Sequence, residues 1–388
     1  MIPYGRHYLD QTDINAVIEV LKSDWLTCGP VVESFENKLA ETVNAHCAVS
    51  CSNGTTALHL ALLALDICQN DVVLVPAITF LASANTVRYV GAEVVFVDVD
   101  PTTGLMTAQT LEDAILKNKD KNLKAVINVH LAGQCENLEM ICKVARKYGL
   151  RIIEDAAHAI GTCYISEAGD SYPIGSNTYS DLTTFSFHPV KTIAMGEGGA
   201  VTTNDEMIAR RLKNLRSHGM VKESTQWLNQ CEEKGPWYYE MHELGYNYRI
   251  SDINCALGLR QLQKLEKFKE SRARLVQKYD ELFKGINNLA PLRKIRFSNT
   301  AWHLYILLID FQAFKLNRKS LMKILREKGV GTQVHYIPLY KQPYYRKCYG
   351  DMRLSGAEEY YSKVLSIPLY VGLTFEHQEI IINSFPKL

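Results

Sequence analysis

The sequence predicts an α/β fold, with a large domain on an open, mainly parallel sheet and a smaller α+β C-terminal domain behind it. Short β-branched runs recur through the first half of the chain, apolar on both faces, as strands are when helices cover them on either side. Helical patterns separate those runs, so strand and helix alternate in the order that builds a parallel sheet. Beyond residue 250 the pattern changes to a long charged helical stretch followed by short mixed pieces.

The first element follows Asp10, where Ile14, Val17, Ile18 and Leu21 fall at i, i+3, i+4 and i+7 and predict an amphipathic helix packed across something larger. Strands are expected at 71–76 (DVVLVP), 93–98 (EVVFVD), 124–129 (KAVINV) and 151–155 (RIIED), with helices between them at 54–65 and 138–148. A single long helix is expected from 251 to about 283, then strand-like pieces at 301–310 and 330–336. These patterns divide the chain into a large domain over 1–250 and a small one over 251–388, joined by the long helix. In such a sheet ligands bind beyond the carboxyl ends of the strands, so the residues just after each run matter most.

With 388 residues, 47% of them hydrophobic and 22% charged, the chain can bury a sizeable core. Lys and Arg total 43 against 42 Asp and Glu, and the net charge of +1 argues against a nucleic-acid partner. A few local cations can still hold an anionic small molecule. The ten cysteines include no CxxC pair and no Cys/His cluster of metal-ligand spacing, so no metal is expected. MIPYGRHYLD carries no apolar leader, and no apolar run approaches the roughly 18 residues that span a bilayer, so no membrane partner and a reducing cytoplasm are expected.

Chemistry concentrates at two strand ends. The segment 181–199 (DLTTFSFHPVKTIAMGEGG) places Ser186, His188 and Lys191 after a strand-like piece and before a Gly-rich turn to which Gly196, Gly198 and Gly199 are assigned. A lone lysine is most often a solvated surface group. Upstream, IIEDAAHA puts Glu154, Asp155 and His158 at the end of a buried strand. A lysine and a buried acid are what pyridoxal phosphate (PLP) chemistry requires, one for the Schiff base and one to keep the pyridine nitrogen protonated. Asp155 is the better acid, on the expectation that Glu154 faces solvent; the bland alternatives are a helix N-cap for Asp155 and a satisfied core histidine for His158.

Further pieces are weaker alone. CSNGTTALHL starts a helix at which Gly54 and Thr55 offer backbone N–H groups to a phosphate. Phe80 can cover a planar ring, though most such aromatics are core. In ELGYNYRISD, Asn247 and Arg249 offer donors just ahead of the long helix, or simply bond water.

Taken together and in order, SNGTTALHL, PAITFLASAN, EDAAHA, FSFHPVKTIAMGEGGAVTTN and LGYNYRISD resemble the DegT/DnrJ/EryC1/StrS family of sugar aminotransferases, PLP-dependent enzymes of fold type I. Ordered motifs spread over nearly the whole chain are far more specific than one Gly-rich loop. IPYGRHYLD, WLTCGPVVESFE, QVHYIPLYKQPYY and LSIPLY further resemble the branch of that family in pseudaminic acid biosynthesis. That branch aminates C4 of a UDP-linked 4-keto-6-deoxy-N-acetylhexosamine with nitrogen from L-glutamate, releasing 2-oxoglutarate.

The resemblance implies that Lys191 is the Schiff-base lysine, that Asp155 partners the pyridine nitrogen and that His158 lies near the ring hydroxyl. Gly54, Thr55 and Ser186 would hold the cofactor phosphate, Phe80 would stack on the ring, and Asn247 would reach the phosphate from a second subunit. A homodimer with shared sites follows, with pyridoxamine phosphate (PMP) as the cofactor's form between the half-reactions. His188, Arg249, His335 and Tyr336 would lie near the nucleotide sugar. Cys28, Ala194 and Met195 depart from the family pattern close to the expected site.

Two other functions share parts of this pattern. A sugar dehydratase of the same superfamily uses PMP and has histidine in place of the lysine; Lys191 argues against it, and His188 is not at that position. A non-catalytic PLP-binding regulatory protein would keep the fold without turnover, but the lysine and acid are intact and no DNA-binding module is evident.

Overall fold

The computed structural model describes residues 1–229 and 234–386. Seven strands form the main sheet: β1 (Cys47–Cys51), β2 (Val72–Pro76), β3 (Glu93–Val97), β4 (Leu123–Val129), β5 (Arg151–Asp155), β6 (Leu182–Ser186) and β7 (Gly199–Thr203). Their spatial order is β3–β2–β4–β5–β6–β7–β1, and neighbours are parallel except where β7 runs against both β6 and β1. The helices up to the small domain are α1 (Gln11–Leu21), α2 (Pro30–Val43), α3 (Gly54–Ala64), α4 (Leu81–Tyr89), α5 (Ala108–Lys117), α6 (Leu138–Lys147), α7 (Glu206–Arg216), α8 (Asp252–Gln263) and α9 (Leu265–Leu282).

Period-two alternation along the strands decides which helices cover which face. Val73, Val75, Ala125 and Ile127 pack in one core with Leu58 and Leu62 of α3 and Val87 of α4. Val72, Leu74 and Val126 point the other way, into a core with Leu111 and Ile115 of α5 and Ile141 and Val144 of α6. The α/β architecture is therefore the one expected from strands apolar on both faces.

The small part carries an antiparallel sheet of β8 (Leu289–Pro291), β9 (Tyr305–Ile309) and β10 (Val364–Ile367), over a core that begins at Leu275 on α9. Three expectations need correction. The helix expected over 251–283 is two helices meeting at Lys264, whose ammonium lies 2.7 Å from Asp10 and 2.6 Å from Asp13 at the start of α1. Because α8 packs against α1 and α2, we infer that the two parts divide at Lys264 rather than between 250 and 251. The segment 330–336 is irregular and held by single bridges from Val330 to Ile2 and from Gln333 to Ser366.

The third correction concerns α1. Its inward side is Asp13 and Val20, and Asp13 accepts a hydrogen bond from Gln261 Nε2 at 3.1 Å. That polar anchor turns the apolar stripe outward, so Ile14, Ile18 and Leu21 are exposed, and Leu21 and the nearby Trp25 show 56% and 57% of their surface. No helix among the described residues is long and apolar enough to cross a membrane.

Of the three glycines assigned to the turn, Gly196 fits, with φ +77°. Gly199 instead lies within β7, where a Cβ would fall 2.2 Å from the Asn53 carbonyl oxygen at the start of α3. Gly199→Ala should lower stability by roughly 1–3 kcal/mol, the usual cost of overpacking. Urea unfolding should show a lower midpoint at unchanged slope, and a native midpoint would contradict the close approach.

Candidate active site

The carboxyl ends of β2, β5 and β6 open into a cleft of about 610 Å³ whose lining includes Thr79, Asp155 and Ser186. Asp155 ends β5 on the same face as Ile153, which packs in the core under α3 and α4. Its Oδ2 accepts from Ser83 Oγ at 2.8 Å, Ser83 in turn lies 2.7 Å from Thr79 Oγ1, and Oδ1 accepts the Ala157 N–H at 3.2 Å. Residues 157–161 form a turn and not a helix, so Asp155 is no N-cap. Glu154 does not face solvent. It is 3% exposed, on the opposite face of β5, and takes a 2.6 Å contact from His130 Nε2. Asp155 is chosen over Glu154 by the side of the sheet and not by depth.

Lys191 follows β6 in a turn, where its N–H donates to the His188 carbonyl at 2.8 Å. Burial lowers its ammonium to a pKa of about 8, opposed in part by the Asp155 carboxylate. A lysine so placed is neither a solvated surface group nor a firmly held cation.

At the other end of the cleft, Asn53 caps α3 in a capping box with Thr56, leaving the first-turn N–H groups of Gly54 and Thr55 at the cleft wall. A Cβ at position 54 would fall 2.7 Å from Ser186 Cβ, so glycine lets the Ser186 hydroxyl sit against the helix start. Together they make an anion cradle of the helix N-terminus kind. Phe80 lines the cleft, is 56% exposed and has its ring 6.2 Å from that of Tyr336, which rules out a core role.

His158 and His335 are buried and Tyr336 half-buried, all along the same wall. His158 Nε2 is 3.3 Å from the Tyr336 hydroxyl, and Nδ1 accepts the Ala132 N–H at 3.3 Å. His335 Nδ1 is 2.7 Å from Ser366 Oγ. Burial, with the Lys191 charge adding to it, lowers His335 to about 3 and His158 well below the ordinary imidazole value. Burial and then Asp155 raise the Tyr336 phenol. His188 lines the cleft and is exposed.

Two expected residues lie elsewhere. Asn247, exposed and bridged to Ser217, and Arg249, half-buried, are not in this cleft's lining. Ala194 and Met195 are buried and Met195 packs in the core with Phe35, so they do not face the cleft, and neither does the exposed Cys28. Sequence reasoning missed Ser83 and His303, both beside the central residues. A histidine inside the apolar run AWHLYILLID was the available signal for the second.

A model of the DegT/DnrJ/EryC1/StrS aminotransferase family matches residues 7–386. The chain belongs to that family. The aminotransferase is 36% identical to the UDP-4-amino-4,6-dideoxy-N-acetyl-beta-L-altrosamine transaminase of Campylobacter jejuni, over 98% of this chain and 96% of the relative. Its fold matches Helicobacter pylori PseC, an aminotransferase involved in the biosynthesis of pseudoaminic acid, with a TM-score of 0.88 and 29% identity over 99% of this chain and 97% of that one. It also matches Streptococcus pneumoniae Spr1654 in its PMP form, with a TM-score of 0.88 and 28% identity over 99% and 98% of the two chains.

The fold is thus that of fold type I aminotransferases, and PLP is the cofactor. The residues present fit it: a cradle for a phosphate, an amine of lowered pKa, and a buried carboxylate share one cleft. In the cofactor-free protein, acylation of Lys191 should rise with pH and level off above about 8, whereas an ordinary lysine keeps gaining to about 10.4. Asp155→Asn removes the group that raises this pKa, so its midpoint should move lower. Mass-spectrometric peptide mapping checks both, and a Lys191 midpoint near 10 would contradict the burial argument.

Proposed function

We propose that this aminotransferase moves the amino group of L-glutamate to C4 of a UDP-linked 4-keto-6-deoxy-N-acetylhexosamine, in pseudaminic acid biosynthesis or a related route to surface-glycan sugars. The observation that carries the reading is the convergence of Lys191, Asp155 and the start of α3 in one cleft. The substrate class is supported by 36% identity, over nearly the whole chain, to a transaminase of that kind.

In this reading Gly54, Thr55 and Ser186 hold the cofactor phosphate, Asp155 pairs with the pyridine nitrogen, His158 faces the ring hydroxyl and Phe80 covers the ring. When bound, PLP supplies an aldehyde carbon for the amino group and a ring that accepts electrons. Lys191 does the proton work. An amine of pKa about 8 is neutral in about a tenth of molecules at pH 7 and can take a proton from carbon and return it. Asp155 presents its carboxyl group to the pyridine nitrogen, oriented by the hydroxyl of Ser83. His188, His335 and Tyr336 contact the sugar nucleotide. Lys191 also sets this reading apart from the dehydratase.

The enzyme acts as a homodimer in the same reading. Asn247 and Arg249 lie outside their own cleft, so Asn247 reaches the partner's phosphate site and Arg249, on the same segment, its sugar nucleotide. The outward stripe of Ile14, Ile18 and Leu21, extended by Trp25, supplies apolar surface for a second copy. The described cysteines are free thiols, which suits a reducing cytoplasm.

Lys191→Ala should abolish 2-oxoglutarate release from glutamate, while Asp155→Asn should stay folded and lose at least about a hundredfold in kcat. Near-native rates in a folded Lys191→Ala protein would refute the assignment. Supplying UDP-4-keto-6-deoxy sugars with glutamate should give a product aminated at C4 by NMR, and amination at another carbon would remove the substrate proposal. Leu21→Asp with Trp25→Asp should halve the mass seen by light scattering, and an unchanged mass would exclude this stripe as the interface.

A further inference from the structure

His303 has no part in the roles given above, yet it lines the cleft, is 4% exposed, and packs its ring 4.4 Å from that of His158. Its backbone is pinned from two sides. The His303 N–H donates to the Ala132 carbonyl at 3.0 Å, and its own carbonyl accepts from Arg272 Nη1 at 3.1 Å. The same nitrogen of the buried Arg272 also donates to the carbonyls of Trp302 and Leu369, so one guanidinium ties α9 to the His303 segment and to the loop at Leu369.

Ala132 bonds to both histidines, to the backbone of one and the imidazole of the other. Its carbonyl takes the His303 N–H, and its own N–H reaches His158 Nδ1. The next residue, Gly133, has φ +92°, and a Cβ there would fall 2.6 Å from the Ala301 carbonyl and 3.0 Å from that of His158. The three segments therefore meet at a point where only glycine fits.

Because a backbone N–H can only donate, Nδ1 of His158 must accept, and in the neutral ring the proton then belongs to Nε2. Turning the ring over would set a ring carbon against the buried Ala132 donor, and the His303 ring, 4.4 Å from that of His158, packs against the imidazole. We propose that His303 is a positioning residue that, with the Ala132 peptide, locks His158 as its Nε2–H tautomer and aims that proton at Tyr336 and the cleft. Burial, with the charges of Lys191 and Arg272 among the further causes, keeps the His303 imidazole neutral, so it adds packing at this point and no competing cation. The inference rests on the proposed role of His158 only for its effect on turnover.

The test uses cofactor-free protein with ¹⁵N-labelled histidine, in which the imidazole nitrogen shifts report the tautomer at pH 7 and loss of signal in His158→Asn makes the assignment. The native chain should show a single Nε2–H form at His158. His303→Ala should give mixed tautomers, and the loaded enzyme should lose roughly ten- to a hundredfold in kcat with KM little changed. His303→Phe, which keeps a ring at the same place, should restore both. If His303→Ala unfolds, His303→Asn serves the same comparison. A native His158 spectrum in a folded variant lacking the ring overturns the proposal, and so does a folded His303→Phe that behaves like His303→Ala. The spectrum requires neither cofactor nor sugar, so its outcome is separate from that of the substrate assignment.

Discussion

The site depends on the register of β5. Successive side chains of a strand point to opposite faces, so Asp155 faces the cleft with Ile153 behind it while Glu154 faces the α5 and α6 side and meets His130. A slip of one residue would exchange them and put the wrong carboxylate into the cleft. The parallel pairing of β5 with β4 and β6 prevents this, matching Asp155 to Val129 on one side and to Thr184 on the other.

Charge is sparse around that carboxylate. His158, His303 and His335 gather near Lys191, and burial depresses all three, so the lysine does not share its surroundings with a cationic imidazole. The same burial loosens the proton on Lys191, while Asp155 tightens it. The amine rests between the two influences, a suitable balance for the proton transfer proposed for it.

Much of this was legible in the residues. Lys191, Asp155, Gly54 and Ser186 lie at strand ends or at a helix start, where local pattern and chemistry coincide, and their neighbourhood in space follows from a parallel sheet. Legibility failed where position depends on distant partners. Glu154 reads as exposed because it is charged, but in a sheet covered on both sides its face is buried as well. The stripe on α1 reads as inward, yet Asp13 finds Gln261 and Lys264 and turns the helix over. His303 sits in a run so apolar that it passes for core. Asn247 and Arg249 lie outside the cleft of their own chain, and a single sequence cannot show what faces them.

The antiparallel strand has a consequence for how the protein is made. β1 joins the sheet only through β7, so the strand leading into α3 has no sheet neighbour until residues 199–203 have left the ribosome. Gly54 and Ser186 likewise meet only once β6 has been made. Contacts of such long sequence separation form slowly. The anion cradle is therefore among the later parts of the large domain to mature, and a nascent chain stopped before β6 would carry the helix start of the cradle without the hydroxyl that completes it.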